Sequence, residues 1–172
     1  PLYPQFAMAT TETILVLAKE IKNKFYPHLK LSSFKSFYDD KNYQLEANYI
    51  HEKIQEYKSN SKSILELGCG TGKHAINLTK FGYEILGIEK SESMLKKAIK
   101  AKNLEFQKGD IREIKLKDKF DVVLNLEVVE HVENLDLFLK SASSLLKKDG
   151  IMFVATINRT FESYLKAIIG AE

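Results

Sequence analysis

The segment Ser63-Ile-Leu-Glu-Leu-Gly-Cys-Gly-Thr-Gly72 places a carboxylate, Glu66, and three glycines at alternate positions behind an apolar run. Glycine takes positive φ without penalty and lets a ligand approach the backbone closely. A helix starting after Gly72 would offer free N–H groups and positive dipole potential. A strand turning into a helix in this way suits a polar small molecule carrying a carboxylate or phosphate. Two familiar glycine patterns fail. The dinucleotide fingerprint needs a third glycine where Lys73 stands, and the phosphate loop needs Gly at Leu67 and Ser or Thr at His74. What remains is E-x-G-x-G-x-G, from Glu66 through Gly68 and Gly70 to Gly72.

Two more carboxylates close apolar runs. Tyr83-Glu-Ile-Leu-Gly-Ile-Glu89 ends in Glu89, with Ser91 as the next N-cap and Glu92 in the first turn. In a doubly wound sheet the second strand ends beside the first, so Glu89 faces the same crevice and can accept two hydrogen bonds from a ribose diol. Leu104-Glu-Phe-Gln-Lys-Gly-Asp110 ends in Asp110, followed by Ile111. A fourth run, Phe120 to Leu126, leads into Glu127-Val-Val-Glu130-His131. If that stretch turns helically, Glu127, Glu130 and His131 point to one side. Such a trio can hold a divalent cation, serve as an acid–base site, or be two solvated glutamates with a capping histidine.

The elements that must position these groups alternate along the chain. The spacing predicts strands over 63–67, 84–89, 104–108, 120–126 and 150–157, and helices over 73–81, 91–101, 134–147 and 161–170. That is an α/β, doubly wound, mostly parallel sheet. Upstream, Ile14, Leu17, Ala18, Ile21 and Phe25 follow helical spacing until Pro27, and a second helix is expected from about Tyr43 to Tyr57. The reading therefore divides the chain into residues 1–7, an appended or upstream remnant, 8–60, a helical N-terminal cap, and 61–172, the α/β domain.

The order of these motifs resembles the class I S-adenosylmethionine (SAM) methyltransferases, whose motif I is the E-x-G-x-G-x-G turn. The resemblance implies SAM as cofactor. It places Glu66, Gly68, Gly70, Gly72, Glu89 and Leu126 around it, Asp110 near the adenine amino group and Ile111 against the ring. Residues 120–140 and 155–172 look more specifically like the ubiquinone-biosynthesis O-methyltransferase family, which methylates phenolic hydroxyls of polyprenylated catechol-type intermediates. That resemblance implies Glu127, Glu130 and His131 as ligands of Mg²⁺ or another divalent cation, with Glu130 and His131 as catalytic groups and His131 alternatively a base. It also implies that the 160–172 helix, with Phe161, Leu165, Ile168 and Ile169 on one stripe, covers the substrate entrance and touches a membrane surface. The family's chain continues beyond the position of Glu172, so the usual last two strands have no sequence here. The 150–157 strand is then expected as an open edge prone to self-association.

Composition narrows the classes further. The 172 residues are 44% hydrophobic and 28% charged, with net charge +3, as in a soluble globular domain. Only two of the 26 basic residues are arginines, Arg112 and Arg159, which argues against nucleic acid as partner. The single cysteine, Cys69, excludes an intrachain disulfide and reads as a small spacer in the glycine turn. With no apolar run of spanning length and no evident secretory signal, the expected location is cytoplasmic, peripheral to the inner membrane if the last helix touches lipid. Three functions stay open: O-methyl transfer to a ubiquinone precursor, methyl transfer to another small molecule such as a sugar or amine, and a non-catalytic SAM-binding remnant.

Overall fold

A computed structural model describes the backbone of residues 14–16 together with residues 42–110, 113 and 116–155. The remnant over 1–7, the stripe from Leu17 to Phe25, Ile111 and the 160–172 helix lie outside the described residues.

Six strands form one sheet: β1 (Ile14–Val16), β2 (Ser63–Leu67), β3 (Glu84–Glu89), β4 (Leu104–Lys108), β5 (Phe120–Leu126) and β6 (Leu146–Ala155). Their order is β1-β6-β5-β2-β3-β4, and every neighbouring pair is parallel. The helices are α1 (Tyr43–Lys58), α2 (Lys73–Thr79), α3 (Glu92–Leu95) and α4 (Leu135–Ser143), with a 3₁₀ turn over Val129–His131. The α1 helix starts where the Asn42 side chain accepts a hydrogen bond from the Leu45 amide at 3.0 Å, a capping arrangement that satisfies an orphan N–H.

The central strands are apolar on both faces because each face is covered. On one side Ile64, Val122, Leu124 and Phe153 pack with Ala47, Ile50 and Ile54 of α1 and Ala75 and Leu78 of α2. On the other, Leu65, Leu67, Val123 and Met152 pack with Phe138, Leu139 and Ala142 of α4. From β2 the chain runs outward through β3 and β4, then returns to β5 on the opposite side. The order thus reverses beside β2, and in open α/β sheets ligands bind at the carboxyl ends of the strands at such a reversal.

Several boundaries differ from the sequence-based expectations. Ile14 belongs to a strand, not a helix. The triplet Ile14-Leu-Val16 pairs in register with Met152, Phe153 and Val154. Ile14 and Val16 are β-branched and favour a strand, and an unpaired edge offers this apolar triplet a ladder of hydrogen bonds. The edge expected to be open is therefore covered over Met152–Val154. The helix expected over 91–101 stops at Leu95, and the Ile99 amide instead donates to the Thr71 carbonyl at 3.3 Å, tying this segment to the glycine turn. The α2 and α4 helices end at Thr79 and Ser143, short of 81 and 147. The last strand begins at Leu146, because the chain re-enters the sheet before Asp149, whose φ of 61° accompanies a register shift against β5.

Asp121 fastens the amino ends of β2, β5 and β6. Its Oδ2 accepts from the Lys62 and Ser63 amides, both at 3.0 Å, from Ser63 Oγ at 2.9 Å and from Lys147 Nζ at 3.1 Å. Burial alone would raise its pKa, but hydrogen bonds from Ser63, Lys62 and Lys147 outweigh it and hold the carboxyl well below the usual range. Because the folded-state value lies below the unfolded one of about 3.9, its stabilisation is present above roughly pH 4 and fades as pH falls further. Asp121→Ala is expected to lower the unfolding free energy at pH 7 by about 2 kcal/mol in urea titrations, from lost hydrogen bonds to a charged group. Asp121→Asn should lose less stability than the native chain between pH 5 and 3.

Candidate functional site

The turn after β2 is left-handed at three glycines, with φ of 67° at Gly68, 56° at Gly70 and 74° at Gly72. The conformation brings the tips of β2 and β3 together. The Gly68 and Cys69 amides both donate to the Ile88 carbonyl, at 2.8 and 3.1 Å. The Gly70 amide donates to Glu89 Oε2 at 2.9 Å, and the Ser91 amide donates to Glu89 Oε1 at 2.7 Å. Glu89 is thus held from both sides by backbone, and each oxygen retains capacity to accept from a ligand.

The two key glycines have different surroundings. A Cβ on Gly68 would lie 2.4 Å from Val128 Cγ2, so this glycine permits close packing against the segment after β5. A Cβ on Gly70 would meet nothing within 4 Å, so Gly70 borders open space. Beside it lies a hollow of about 390 Å³ whose lining includes Gly68, Glu89, Asp110, Glu127, His131 and Phe138. Asp110 sits at the tip of β4 with Lys90 Nζ 3.7 Å away. Cys69 is buried, and burial together with the Glu66 and Glu89 carboxylates pushes its thiol up, which fits a spacer rather than a nucleophile.

Glu66 is 2% exposed and turned toward the α1/α2 side of the sheet, where His74 Nδ1 lies 3.7 Å from its Oε1. His74 Nε2 in turn contacts Glu46 Oε2 of α1 at 2.6 Å. Leu126 packs against the core on that same side instead of lining the hollow. The structure therefore gathers Gly68, Glu89 and Asp110 at one hollow, places Gly70 beside it, and seats Glu66 beneath the turn.

The Glu127–His131 stretch departs from the expected helical turn. Glu127 takes a left-handed φ of 59°, with its amide donating to the Ala155 carbonyl at 2.7 Å, and the 3₁₀ turn covers only Val129–His131. A left-handed residue breaks the i, i+3, i+4 face, so Glu127 and His131 reach the hollow while Glu130 is not part of its lining. Glu130 Oε2 is buried without a hydrogen-bond partner among the described residues. Also among the described residues, no group of three or more His, Cys, Asp or Glu side chains is gathered closely enough to hold a metal ion.

The sequence reading missed Lys90, Val128 and Phe138 as lining and His74 as a neighbour of Glu66. Phe138 carried a signal, since it lies on the apolar stripe of α4. Val128 carried none, because its role comes from the conformation of Glu127.

A family model described as a methyltransferase domain matches residues 58–170. A ubiquinone biosynthesis O-methyltransferase of Pelagibacter ubique is 38% identical, the match covering 74% of this chain and 59% of that protein. Among solved structures, Streptomyces venezuelae DesVI is 28% identical with a TM-score of 0.62, over 69% of this chain and 53% of that one. SAM-bound CalS10, described as an amino pentose methyltransferase from Micromonospora echinaspora, shares the fold at 22% identity and a TM-score of 0.60, over 70% of this chain and 55% of that one. The chain thus spans between half and three-fifths of the proteins it resembles.

The glycines make a paired stability test. Gly70→Ala is expected to cost about 1 kcal/mol, the left-handed strain alone. Gly68→Ala adds overlap with Val128 and should cost about 2–4 kcal/mol. Denaturant titration of both variants checks the order; equal losses would mean that the turn and Val128 are not packed as described.

Proposed function

The chain belongs to the methyltransferase-domain family, and on that premise we propose that it transfers a methyl group from SAM to a phenolic hydroxyl of a catechol-type ubiquinone precursor. The observation that carries the cofactor reading is Glu89, clamped between the Gly70 and Ser91 amides at the edge of the hollow. A carboxylate fixed in this way accepts from a vicinal diol without having to order itself first. The naming of the Pelagibacter ubique relative supports the acceptor class.

When bound, SAM supplies an electrophilic methyl carbon on a sulfonium. This chain's residues would do the rest. Gly68 and Gly70 let the nucleoside thioether approach the backbone, and Glu89 accepts from the ribose hydroxyls. Asp110 would face the adenine amino group, while Glu66 stays beneath the turn beside His74. Fixing donor and acceptor in line is worth up to about 7–11 kcal/mol of the barrier in favourable systems. His131 would take the proton of the acceptor hydroxyl and pass it to water, leaving an oxygen able to accept the methyl group that bound SAM would supply with loss of its thioether. His131 is exposed and lines the hollow, which suits both transfers.

The divalent cation implied by the E-x-x-E-H pattern does not fit the arrangement of these side chains, since Glu127, Glu130 and His131 are not assembled into a ligand set. The dispersed placement favours a second reading, cation-independent transfer to another small molecule such as a sugar or an amine. Membrane contact through 160–172 belongs to the first reading only.

Calorimetric titration with SAM, then a methyl-release assay with a catechol and with an amino sugar, each with Mg²⁺ or a chelator, separates the readings. Turnover of the catechol is expected; turnover of the amino sugar alone would establish the second reading. Binding without any turnover would leave a SAM-binding module. His131→Ala should lower catechol turnover about 100-fold or more at saturating SAM, the usual scale of general-base loss. Unchanged turnover would remove His131 from the mechanism.

A further inference from the structure

We propose that Asn125 is a specificity-determining residue for the methyl acceptor, and that the Val128–Glu133 segment is a gate over it. Asn125 is 0% exposed, and neither its Oδ1 nor its Nδ2 has a hydrogen-bond partner among the described residues. An amide buried in this way carries its full desolvation penalty, and such a group in a native structure calls for an explanation. Its place on the sheet supplies one. Along β5 it follows Val123 on the α4 face, and across the sheet it lies in register between Val154 of β6 and Leu67 of β2. Leu67 in turn pairs with Ile88 of β3, and both line the hollow. Asn125 therefore stands one strand beyond the floor of the hollow, beneath the apolar cluster that includes Val129 and Phe138, with Val128 and Val132 packed on it.

The segment over this strand is bonded mainly to itself. The His131 amide donates to the Val128 carbonyl at 2.9 Å and the Val132 amide to the Val129 carbonyl at 3.3 Å. Among the described residues no hydrogen bond or ion pair joins residues 128–133 to another element, so apolar packing alone holds them down. Both ends are anchored: the Glu127 amide donates to Ala155, and Asn134 caps α4. Glu127 at the hinge is left-handed, and Glu130 Oε2 is buried without a partner among the described residues, so the closed position is strained and incompletely bonded. A segment with these properties belongs to the easily opened part of a fold. The size of the hollow gives it a reason to open. About 390 Å³ is near the lower end of the roughly 300–1,000 Å³ that hold a single ligand, whereas methyl transfer needs donor and acceptor together. With the valines lifted, the hollow extends over Asn125, whose amide offers a donor and an acceptor to the second hydroxyl of a catechol. On closing, the same segment carries His131 toward the first.

This assignment rests on the methyl-transfer reading, and the two fail differently. Calorimetry on the full chain measures the affinity for S-adenosylhomocysteine and then, with that ligand saturating, for a catechol carrying a short alkyl chain. Asn125→Leu, nearly isosteric and apolar like its surroundings, should raise the urea midpoint, keep the homocysteine ligand within about twofold and weaken the catechol about tenfold or more. Asn125→Thr, which keeps a hydroxyl, should fall between the native chain and Asn125→Leu. Glu127→Gly and Glu127→Ala both remove the carboxylate, but only glycine relieves the left-handed hinge and so favours the closed gate. Glu127→Gly should therefore bind the catechol about fivefold or more weaker than Glu127→Ala, with equal affinity for the homocysteine ligand. Unchanged catechol affinity in both Asn125 variants, parallel loss of both ligands, or no difference between the two Glu127 variants overturns the assignment. A native chain that binds the homocysteine ligand but no catechol overturns the acceptor reading, and this assignment with it.

Discussion

The meeting of the β2 and β3 tips governs the rest of this molecule. Two successive amides, Gly68 and Cys69, converge on one carbonyl, Ile88, and a third, Gly70, reaches the Glu89 carboxylate. Only left-handed backbone permits that sequence of donors, and in L-residues that conformation costs about 1–2 kcal/mol per position. Glycine removes the cost three times over. It also removes side chains where Val128 and the crevice need the room. The same contact positions Glu89, borders the hollow and decides how closely the segment after β5 can approach. Buried Cys69 fills the remaining gap: its Sγ lies 2.7 Å from where a Cβ on Gly87 would stand, so β3 is also a glycine there.

Around that contact, the two cores do different work. The α4 side is largely apolar, built of Leu, Ile, Val, Met, Ala and Phe, but it also buries Asn125 two residues beyond Val123 on β5. The α1/α2 side carries the buried Glu46–His74–Glu66 row among its apolar residues.

How much of this was legible in the sequence depends on whether local pattern or distant pairing decides each element. The glycine turn, the strand-end acids Glu89 and Asp110, and the central strands could be read, because chemistry and periodicity agree within a few residues. Ile14–Val16 could not. Its residues satisfy both a helical stripe and a strand, and the choice is made by β6, more than 130 positions along the chain. The helix after Ser91 was overestimated, because the bond from Ile99 to Thr71 is non-local. The E-x-x-E-H face failed for a local reason that has no sequence signature. Glu127 is left-handed, a conformation usual for Gly or Asn and rare for Glu. Its amide is held by Ala155, so β6 decides the direction of Glu127. His74 was visible only as the residue that spoils a phosphate loop; its partner Glu46 lies on another helix, 28 positions away.

A crystal of this chain grown with S-adenosylhomocysteine tests the central claim most directly. The account requires density in the hollow at the tips of β2, β3 and β4, with both ribose hydroxyls within hydrogen-bonding distance of Glu89 and the Gly70–Glu89 bond intact. Ligand bound at another place, or a ribose turned away from Glu89, would contradict it.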